Sequence, residues 1–238
     1  MAKKAVLITG GAKRIGAAMA RYFAEHGYDI ALHYHSSKKE ALVLQATLKK
    51  QGVTCELFSH DLKNIKGIPA LMKKVRAAMP HCVALINNAS IFERAEFMKT
   101  DEALFDRQFA VNFKAPFFLT QAFAKTFGKG CVVNILDTDI AQTHVSHFTY
   151  LLAKKALANF TIMAARALGP TVRVNGVCPG YVLPHSTSDA VGIKKVEKNI
   201  PLKKHAAVEE ITEAVLWISQ QKHVTGQIMY IDGGKHVL

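Results

Sequence analysis

The sequence has no long hydrophobic run, although half of its 238 residues are hydrophobic. A membrane-spanning helix needs about 20 consecutive apolar residues, and no stretch here approaches that length, so we expect no membrane association. Lys3 and Lys4 precede only a short apolar segment that runs into glycines, which argues against a secretory signal. The length fits one domain, and we expect a single one over residues 1–238.

Cysteine is scarce, and no two cysteines form a Cys-x-x-Cys pair. This scatter predicts reduced, buried thiols in a cytoplasmic protein, at positions 55, 82, 131 and 178. The eleven histidines lack the spacing of metal ligands, and His33 and His35 share a strand face without obvious partners. We therefore expect no metal site.

Acidic residues are few: 18 against 31 basic ones, a formal net charge of +13. Such an excess can indicate nucleic-acid binding. The lysines, however, occur in pairs spread along the chain, with no basic helix or patch interleaved with aromatic residues. Solvated helix faces and attraction for small anions explain the charge better, so we expect no nucleic-acid partner.

Short apolar strands alternate with longer helical patterns along the whole chain. This alternation predicts an α/β fold with a doubly wound parallel sheet of about seven strands and helices on both faces. Strands are expected at 5–8, 30–34, 53–59, 82–86, 131–136, 171–177 and 227–231. Helices are expected at 13–26, 38–51, 65–79, 101–111, 115–127, about 150–168 and 208–220. Residues 180–206 are irregular, which suits either a substrate lid or a plain surface insertion.

A glycine-rich loop joins the first strand to the first helix. It runs from Thr9 to Gly16 and includes Gly10 and Gly11, with Arg14 where a middle glycine is common. Glycines let the backbone approach a pyrophosphate, and the helix N-terminus supplies N–H donors. The loop therefore indicates dinucleotide binding, the alternative being a glycine-rich turn without a ligand.

The end of the second strand lacks an acidic residue until Glu40. A cofactor with a free 2′-hydroxyl would call for Asp or Glu there, whereas Arg14, Ser36, Ser37 and nearby lysines suit a 2′-phosphate. We therefore expect NADPH or NADP as cofactor. Ser36 or Ser37 could also serve as the N-cap of the following helix.

Tyr150 and Lys154 stand four residues apart in a helical pattern, so they share one helix face. A free tyrosine titrates near ~10, and a neighbouring ammonium should lower the pKa of the phenol. The pair is thus a candidate general acid, although Tyr-x-x-x-Lys also occurs by chance. Asp137 ends the fifth expected strand, at the edge where parallel sheets bind ligands.

Polar and small residues follow the third and fourth strands. Asp61 and the run 87–90 (Asn-Asn-Ala-Ser) could line an adenine or ribose pocket or simply form turns. Phe92 could pack in the core or stack on a flat substrate. Asn112, inside an apolar helix, could be a satisfied buried amide.

Taken in order, these motifs resemble the short-chain dehydrogenase/reductase family over the whole chain. They are Thr-Gly-x-x-x-Arg-x-Gly, Asn-Asn-Ala-Ser, Asn112, Tyr150-x-x-x-Lys154, Pro179-Gly180 and Asp232-Gly233-Gly234. The resemblance implies a Rossmann-type sheet, a nicotinamide cofactor and a homo-oligomer, a tetramer or a dimer. It also implies that Tyr150 donates the proton, that Lys154 binds the nicotinamide ribose and lowers the pKa of Tyr150, and that Asn112 supports a relay water.

Three departures from the general family pattern, at Arg14, Ser90 and Asp137, narrow the resemblance. Arg14, and Asp137 thirteen residues before Tyr150, look like pteridine reductases and the bacterial dihydromonapterin/dihydrofolate reductases. In that subgroup the pterin lies between the nicotinamide and an aromatic ring, here matched by Phe92. Ser36 and Val182 depart from the subgroup, which often carries Arg and Ser there.

The resemblance implies three sets of site residues. Catalytic residues are Asp137, Tyr150, Lys154 and Asn112. Substrate contacts are Arg14, Ser90, Phe92, Asp137 and Tyr150. Cofactor contacts are Gly10, Lys13, Arg14, Ile15, Gly16, His35, Ser36, Ser37, Asp61, Leu62, Asn88, Ala89, Ser90, Tyr150, Lys154, Pro179 and Gly180.

The function expected from these residues is NADPH-dependent reduction of a pterin-like small molecule: a dihydropterin, dihydromonapterin or dihydrofolate. Hydride goes to a ring carbon and a proton to a ring nitrogen, and a carboxylic acid at Asp137 suits that protonation better than a serine. Two alternatives remain open. One is a carbonyl reductase of 3-oxoacyl thioesters or other ketones, and the other is a non-catalytic protein that binds nucleotides or nucleic acid.

Overall fold

The computed structural model of the chain describes residues 3–143, 145–183 and 197–238, and these residues form one seven-stranded parallel sheet. The strand order is β3-β2-β1-β4-β5-β6-β7. The strands are β1 Lys4–Ile8, β2 Tyr28–Tyr34, β3 Cys55–Ser59, β4 Cys82–Asn87, β5 Gly130–Ile135, β6 Val172–Pro179 and β7 Ile228–Ile231. The predicted doubly wound parallel sheet is confirmed, with boundary shifts of one or two residues at most strands.

In the part of the chain that the structure describes, seven α-helices flank the strands and cover both faces of the sheet. They are α1 Arg14–Glu25, α2 Lys38–Lys50, α3 Ile68–Ala78, α4 Glu102–Phe109, α5 Ala115–Phe127, α6 Phe148–Leu168 and α7 Val208–Gln220. Strand β1 shows why both faces are covered: Val6 and Ile8 pack in one hydrophobic cluster with α1, α2 and α7. Ala5 and Leu7 point the other way, into a cluster with α3, α5 and α6. Such two-sided burial requires the nearly continuous apolar strands seen in the sequence.

The two helices predicted at 101–111 and 115–127 are joined rather than separated. A π-helical turn, Ala110–Lys114, carries α4 directly into α5. Pro116 lies in the first turn of α5 and has no N–H to donate to the carbonyl of Asn112, so the regular i→i−4 pattern breaks there. Both predicted helices are thus present, and Asn112, predicted to lie inside a helix, lies in the π turn that joins them.

The carboxyl ends of the strands bring the predicted site residues to one edge of the sheet. The strand order reverses between β1 and β4, and ligands bind open sheets at such a switch point. The predicted lid over 180–206 falls largely on residues 184–196, which lie outside the described part of the chain. Its two described ends, 180–183 and 197–206, flank that gap.

All four cysteines are buried and none forms a disulfide, as predicted from their scatter. Within the described ranges, no helix has both the length and the hydropathy needed to cross a bilayer.

Candidate active site

One cavity of about 910 Å³ lies along the carboxyl edge of the sheet, from the glycine loop to the start of α6. Every residue of the predicted cofactor and substrate sets lines this cavity. Asp137, Tyr150 and Lys154 line it as well, so of the predicted site residues Asn112 alone is absent from its walls.

The glycine loop packs so closely against the end of β4 that side chains would not fit. Gly10 has φ +60°, and a Cβ built on it would lie 3.0 Å from the Cα of Ala89. A Cβ on Gly16 would meet the carbonyl of Gly10 and would lie 2.7 Å from Nδ2 of Asn88. Asn88 Nδ2 also donates to the carbonyl of Thr9 at 2.8 Å. This bare backbone at the N-terminus of α1 fits a pyrophosphate.

Arg14 adopts a left-handed backbone conformation, with φ +51°. That conformation costs a non-glycine residue about 1–2 kcal/mol, so its retention at the cavity wall indicates a functional use of the side chain. Arg14 Nη2 donates to the carbonyl of Leu183 at 3.3 Å, which connects the glycine loop to the segment after β6.

His33, in β2, supports the glycine loop from beneath. Its Nδ1 accepts the N–H of Gly10 at 3.2 Å, and its Nε2 lies 3.0 Å from the carbonyl of His60. Because Nδ1 accepts, the proton must be on Nε2, and the ring must be neutral. Burial lowers the pKa of His33 to about 4, in keeping with that state.

The end of β2 carries polar side chains into the cavity. His35, Ser36 and Ser37 all line it, and Ser37 takes the N-cap position of α2 without a capping side-chain bond. The nearby carboxylate of Glu40 is paired with Lys13 at 2.7 Å. The acid that could repel a phosphate here is thus already neutralised by a lysine.

Tyr150, Asp137 and Lys154 meet at the centre of the cavity. The Tyr150 hydroxyl donates to Oδ2 of Asp137 at 2.8 Å, and Lys154 Nζ donates to the carbonyl of Ile135 at 2.8 Å. The Lys154 ammonium also lies 5.7 Å from the centroid of the Tyr150 ring. The i, i+4 spacing on α6 produces this arrangement because β5 ends opposite its first turns.

Phe92 stands edge-on to Tyr150, with ring centroids 4.8 Å apart and an interplanar angle of 86°. Its ring is 36% exposed and lines the cavity. The Arg94 guanidinium lies 5.9 Å from the Phe92 centroid. The Phe92 side chain therefore forms part of the cavity wall beside Tyr150 and is not a core residue.

A family model described as enoyl-(acyl carrier protein) reductase matches residues 10–236. Pteridine reductase 1 of Leishmania tarentolae is 30% identical to this chain, over 96% of the chain and 94% of that protein. The chain belongs to the short-chain dehydrogenase/reductase family. Another relative is 3-oxoacyl-[acyl-carrier-protein] reductase FabG of Staphylococcus epidermidis, 28% identical over 98% of this chain and 99% of that protein.

Solved structures give the same family placement. FolM alternative dihydrofolate reductase 1 from Brucella suis, in complex with NADP, superposes with a TM-score of 0.94 at 32% identity, covering 99% of this chain and 96% of that one. Its counterpart from Brucella canis, also complexed with NADP, gives 0.92 at 32% identity, covering 99% and 95%. The predicted resemblance to the pteridine reductase-like subgroup of the short-chain dehydrogenases/reductases is confirmed.

The electrostatics of this reductase site differ from the sequence-based expectation. Burial raises the pKa of Tyr150 well above its usual value, and the adjacent Asp137 carboxylate raises it further. Burial lowers the pKa of Lys154 to about 8, against the opposing effect of Asp137. The expected lowering of the Tyr150 pKa was thus wrong for this arrangement, because burial and the neighbouring carboxylate raise it.

The pKa of the Asp137 carboxyl is raised above that of an ordinary carboxyl. Burial raises its pKa first and the charge of Asp139 second. The N–H of Asp139, the Tyr150 hydroxyl and the Lys154 charge work in the opposite direction. The net effect is upward, which agrees with the prediction of a partly desolvated acid.

Asn112 makes four hydrogen bonds to protein. Its Oδ1 accepts from the Ser90 hydroxyl at 2.7 Å and from the N–H of Ile91 at 3.2 Å. Its Nδ2 donates to the carbonyl of Ile91 at 2.9 Å and to Oε1 of Gln108 at 2.8 Å. The Asn112 side chain therefore fixes the loop after β4, and with it Ser90, instead of lining the cavity. Its predicted support of a relay water stays a prediction.

The sequence-based site sets omitted several ionisable residues of the cavity wall, and three of these, Asp139, His147 and Lys235, lie together. Asp139 ion-pairs with Lys235, and His147 Nε2 lies 3.4 Å from the other Asp139 oxygen. Lys235 is 96 positions away from Asp139 in sequence, so no local pattern could have joined them. The short spacing between Asp137 and Asp139 was the one available signal.

Proposed function

We propose that this chain is an NADPH-dependent reductase of pterins, acting on a dihydropterin, dihydromonapterin or dihydrofolate. The observation that carries the proposal is the hydrogen bond from Tyr150 to Asp137, in a cavity wall shared with Phe92. A carboxyl with a raised pKa beside a flat-ring binding wall suits protonation of a ring nitrogen better than reduction of a ketone. The similarity to pteridine reductase 1 and to the FolM proteins supports the same substrate class.

NADPH supplies the hydride when it is bound. The glycine loop would hold its pyrophosphate, Lys154 its nicotinamide ribose, and His35, Ser36, Ser37 and Arg14 its 2′-phosphate. Phe92 would hold the flat substrate ring against the nicotinamide. The neighbouring structures in complex with NADP support this cofactor.

Asp137 would deliver the proton. Its raised pKa lets the carboxyl hold a proton beside the ring nitrogen, and the proton moves from an Asp137 oxygen to that nitrogen as hydride reaches the ring carbon. The carboxylate then regains a proton from Tyr150 or solvent. Where Tyr150 passes the proton on, solvent returns a proton to the phenol in the same step, because Tyr150, with its pKa raised, is protonated at neutral pH before and after the transfer.

A carbonyl reductase acting on 3-oxoacyl thioesters or other ketones is the second candidate. It is favoured by the similarity to FabG over nearly the whole of both chains. In this candidate Tyr150 would protonate a carbonyl oxygen, and Asp137 would stand where most of the family has serine.

Turnover by the wild-type protein separates the two candidates. We expect NADPH oxidation to depend on an added dihydropterin or dihydrofolate, with a kcat/KM at least tenfold above that for an acetoacetyl thioester. A higher kcat/KM for the thioester would replace the pterin assignment with the carbonyl-reductase one.

We further propose that residues 1–238 act as one domain, with 180–206 as a substrate-side lid, and that the protein is a cytoplasmic homo-oligomer, a tetramer or a dimer. The contact of Arg14 with Leu183 at the cavity wall supports the lid. The exposed rings of Phe105 and Phe117 on α4 and α5 support a subunit interface. Light scattering of the purified protein tests the oligomer, since a monomer at micromolar concentration would contradict it.

A further inference from the structure

The turn after β5 lies between α6 and the C-terminal segment and contacts both. Residues Thr138–Ala141 form a short 3-10 turn, and residues Lys235–Val237 form another that packs against it. Gln142 Nε2 donates to the carbonyl of Lys235 at 2.9 Å, and the Thr138 hydroxyl donates to the carboxylate of Asp232. Asp232 also accepts the N–H groups of Gly234 and His236, at 2.9 and 2.8 Å. These contacts hold the segment that contains Lys235, a residue of the cavity wall, against the turn after β5.

Both oxygens of Asp137 are engaged by this arrangement. Oδ2 accepts the Tyr150 hydroxyl at 2.8 Å, and Oδ1 accepts the N–H of Asp139 at 2.9 Å. The orientation of the Asp137 carboxyl therefore depends on the position of the Asp139 backbone. The Asp139 side chain is in turn ion-paired with Lys235, and both side chains are mostly buried, at 15% and 23% exposure.

We propose that Lys235 is a positioning residue of the active site: by pairing with Asp139 it holds the 137–139 turn and keeps the Asp137 carboxyl aligned with the Tyr150 hydroxyl. This inference rests on the proposed role of Asp137 as proton donor. Lys235 acts through Asp139, and we assign it no contact with the reacting atoms.

The charge of Lys235 should also affect the pKa of the Asp137 carboxyl, through Asp139. Two acidic side chains two residues apart raise each other's affinity for protons, and a nearby cation lowers it. Among the described residues, the ionisable groups around Asp137 belong to four parts of the fold. They are Asp139 and His147 from the connection to α6, Tyr150 and Lys154 from α6, Cys178 from β6, and Asp232 and Lys235 from the C-terminal segment. Removal of the Lys235 charge leaves the Asp139 carboxylate less compensated, so protonation of Asp137 becomes easier.

Three variants and one control test the proposal in the full-length protein. Lys235→Met removes the charge, Lys235→Arg keeps it, and Asp139→Asn removes the intervening carboxylate. Lys49→Met is the matched control, because Lys49 lies 3.8 Å from Glu56 in a half-exposed ion pair outside the cavity wall. The readouts are the titration of the Asp137 carboxyl, followed by carbon NMR of aspartate-labelled protein and assigned with Asp137→Asn, and the pH profile of kcat for dihydropterin reduction.

Lys235→Met should move both the Asp137 titration and the falling limb of kcat to higher pH, by about half a unit or more. Asp139→Asn should move the titration to lower pH, while Lys235→Arg and Lys49→Met should follow the wild type. The affinity for NADPH should be unchanged in all four. If Lys235→Met titrates like the wild type, or if Lys49→Met shifts it equally, the proposal is overturned. A shifted titration in a protein that reduces no pterin would leave the coupling standing and reject the proposed function.

Discussion

The Tyr150 hydroxyl donates to the carboxylate of Asp137 over 2.8 Å, and burial raises the pKa of both groups. Protons leave such a pair in two steps that belong to the pair and not to either residue. At neutral pH the pair therefore retains at least the phenolic proton. A carboxyl with a raised pKa adds to this phenol a second group that can hand a proton to a substrate nitrogen, and a serine in place of Asp137 could not do so.

NADPH should be preferred over NADH by a factor of at least ~10 in kcat/KM, about 1.4 kcal/mol. The reason is that His35, Ser36 and Ser37 line the cavity after β2, while Glu40 is held by Lys13. Steady-state kinetics with both cofactors at a saturating pterin concentration measure the ratio. Equal efficiency with the two would contradict the cofactor assignment.

Ser36→Asp should reduce that preference, because a new carboxylate would face the 2′-phosphate across the cavity wall. Ser59→Asp is the matched control. It adds the same charge to an exposed position at the end of β3, which does not line this cavity. An equal loss of preference in both variants would point to a general effect of charge.

Phe92→Ala should weaken pterin binding by roughly 2- to 10-fold while leaving NADPH binding unchanged, since an aromatic stack contributes ~0.5–1.5 kcal/mol beyond burial. The Kd for each ligand can be measured by calorimetry. Phe97→Ala serves as control, because Phe97 is 64% exposed and lies in the neighbouring 3-10 turn, outside the cavity wall. Unchanged pterin affinity in Phe92→Ala would remove Phe92 from the substrate site.

Acid should destabilise the protein partly through His33. Its folded-state pKa of about 4 lies below the ordinary 6.5. Between pH 4 and 6.5, His33 is therefore protonated in the unfolded chain and neutral in the folded one. The free energy of unfolding should therefore fall as pH drops from 6.5 to 4, by on the order of 3 kcal/mol from this residue. Chemical denaturation across that range measures the loss.

His33→Asn should flatten this part of the pH profile, because an amide oxygen in place of Nδ1 can accept the Gly10 N–H without titrating. His223→Asn, at an exposed position, should keep the wild-type slope. Parallel profiles for the wild type and His33→Asn would show that His33 is not the responsible group.

The sequence predicted the sheet well because its strands are nearly continuous apolar runs separated by helical patterns, as β1 shows. It also predicted which strand ends carry the site, since parallel strands place their carboxyl ends on one edge. How deeply each site residue is buried was harder to predict from the sequence. The spacing of Tyr150 and Lys154 gave their common helix face, but not that burial and Asp137 would reverse the expected direction of the Tyr150 pKa.

Contacts made by distant parts of the chain were missed for a related reason. Asp139 and Lys235 meet only because β7 brings the C-terminus beside the turn after β5. The His33 contact with Gly10 likewise depends on β1 and β2 being neighbours. A single sequence gives the order of these residues along the chain. Which of them are in contact is decided by the order of the strands in the folded sheet.

The central claim is that Asp137 makes this site a pterin reductase, and Asp137→Ser tests it most directly. The measurement is kcat/KM for a dihydropterin and for an acetoacetyl thioester in the wild type and the variant, with the Kd for NADPH and the melting temperature as controls. We expect pterin reduction to fall by roughly 10²-fold or more, while thioester reduction, NADPH affinity and melting temperature stay near their wild-type values, because Tyr150 and Lys154 remain. An Asp137→Ser variant that reduces pterins as fast as the wild type would contradict the account and favour the carbonyl reductase.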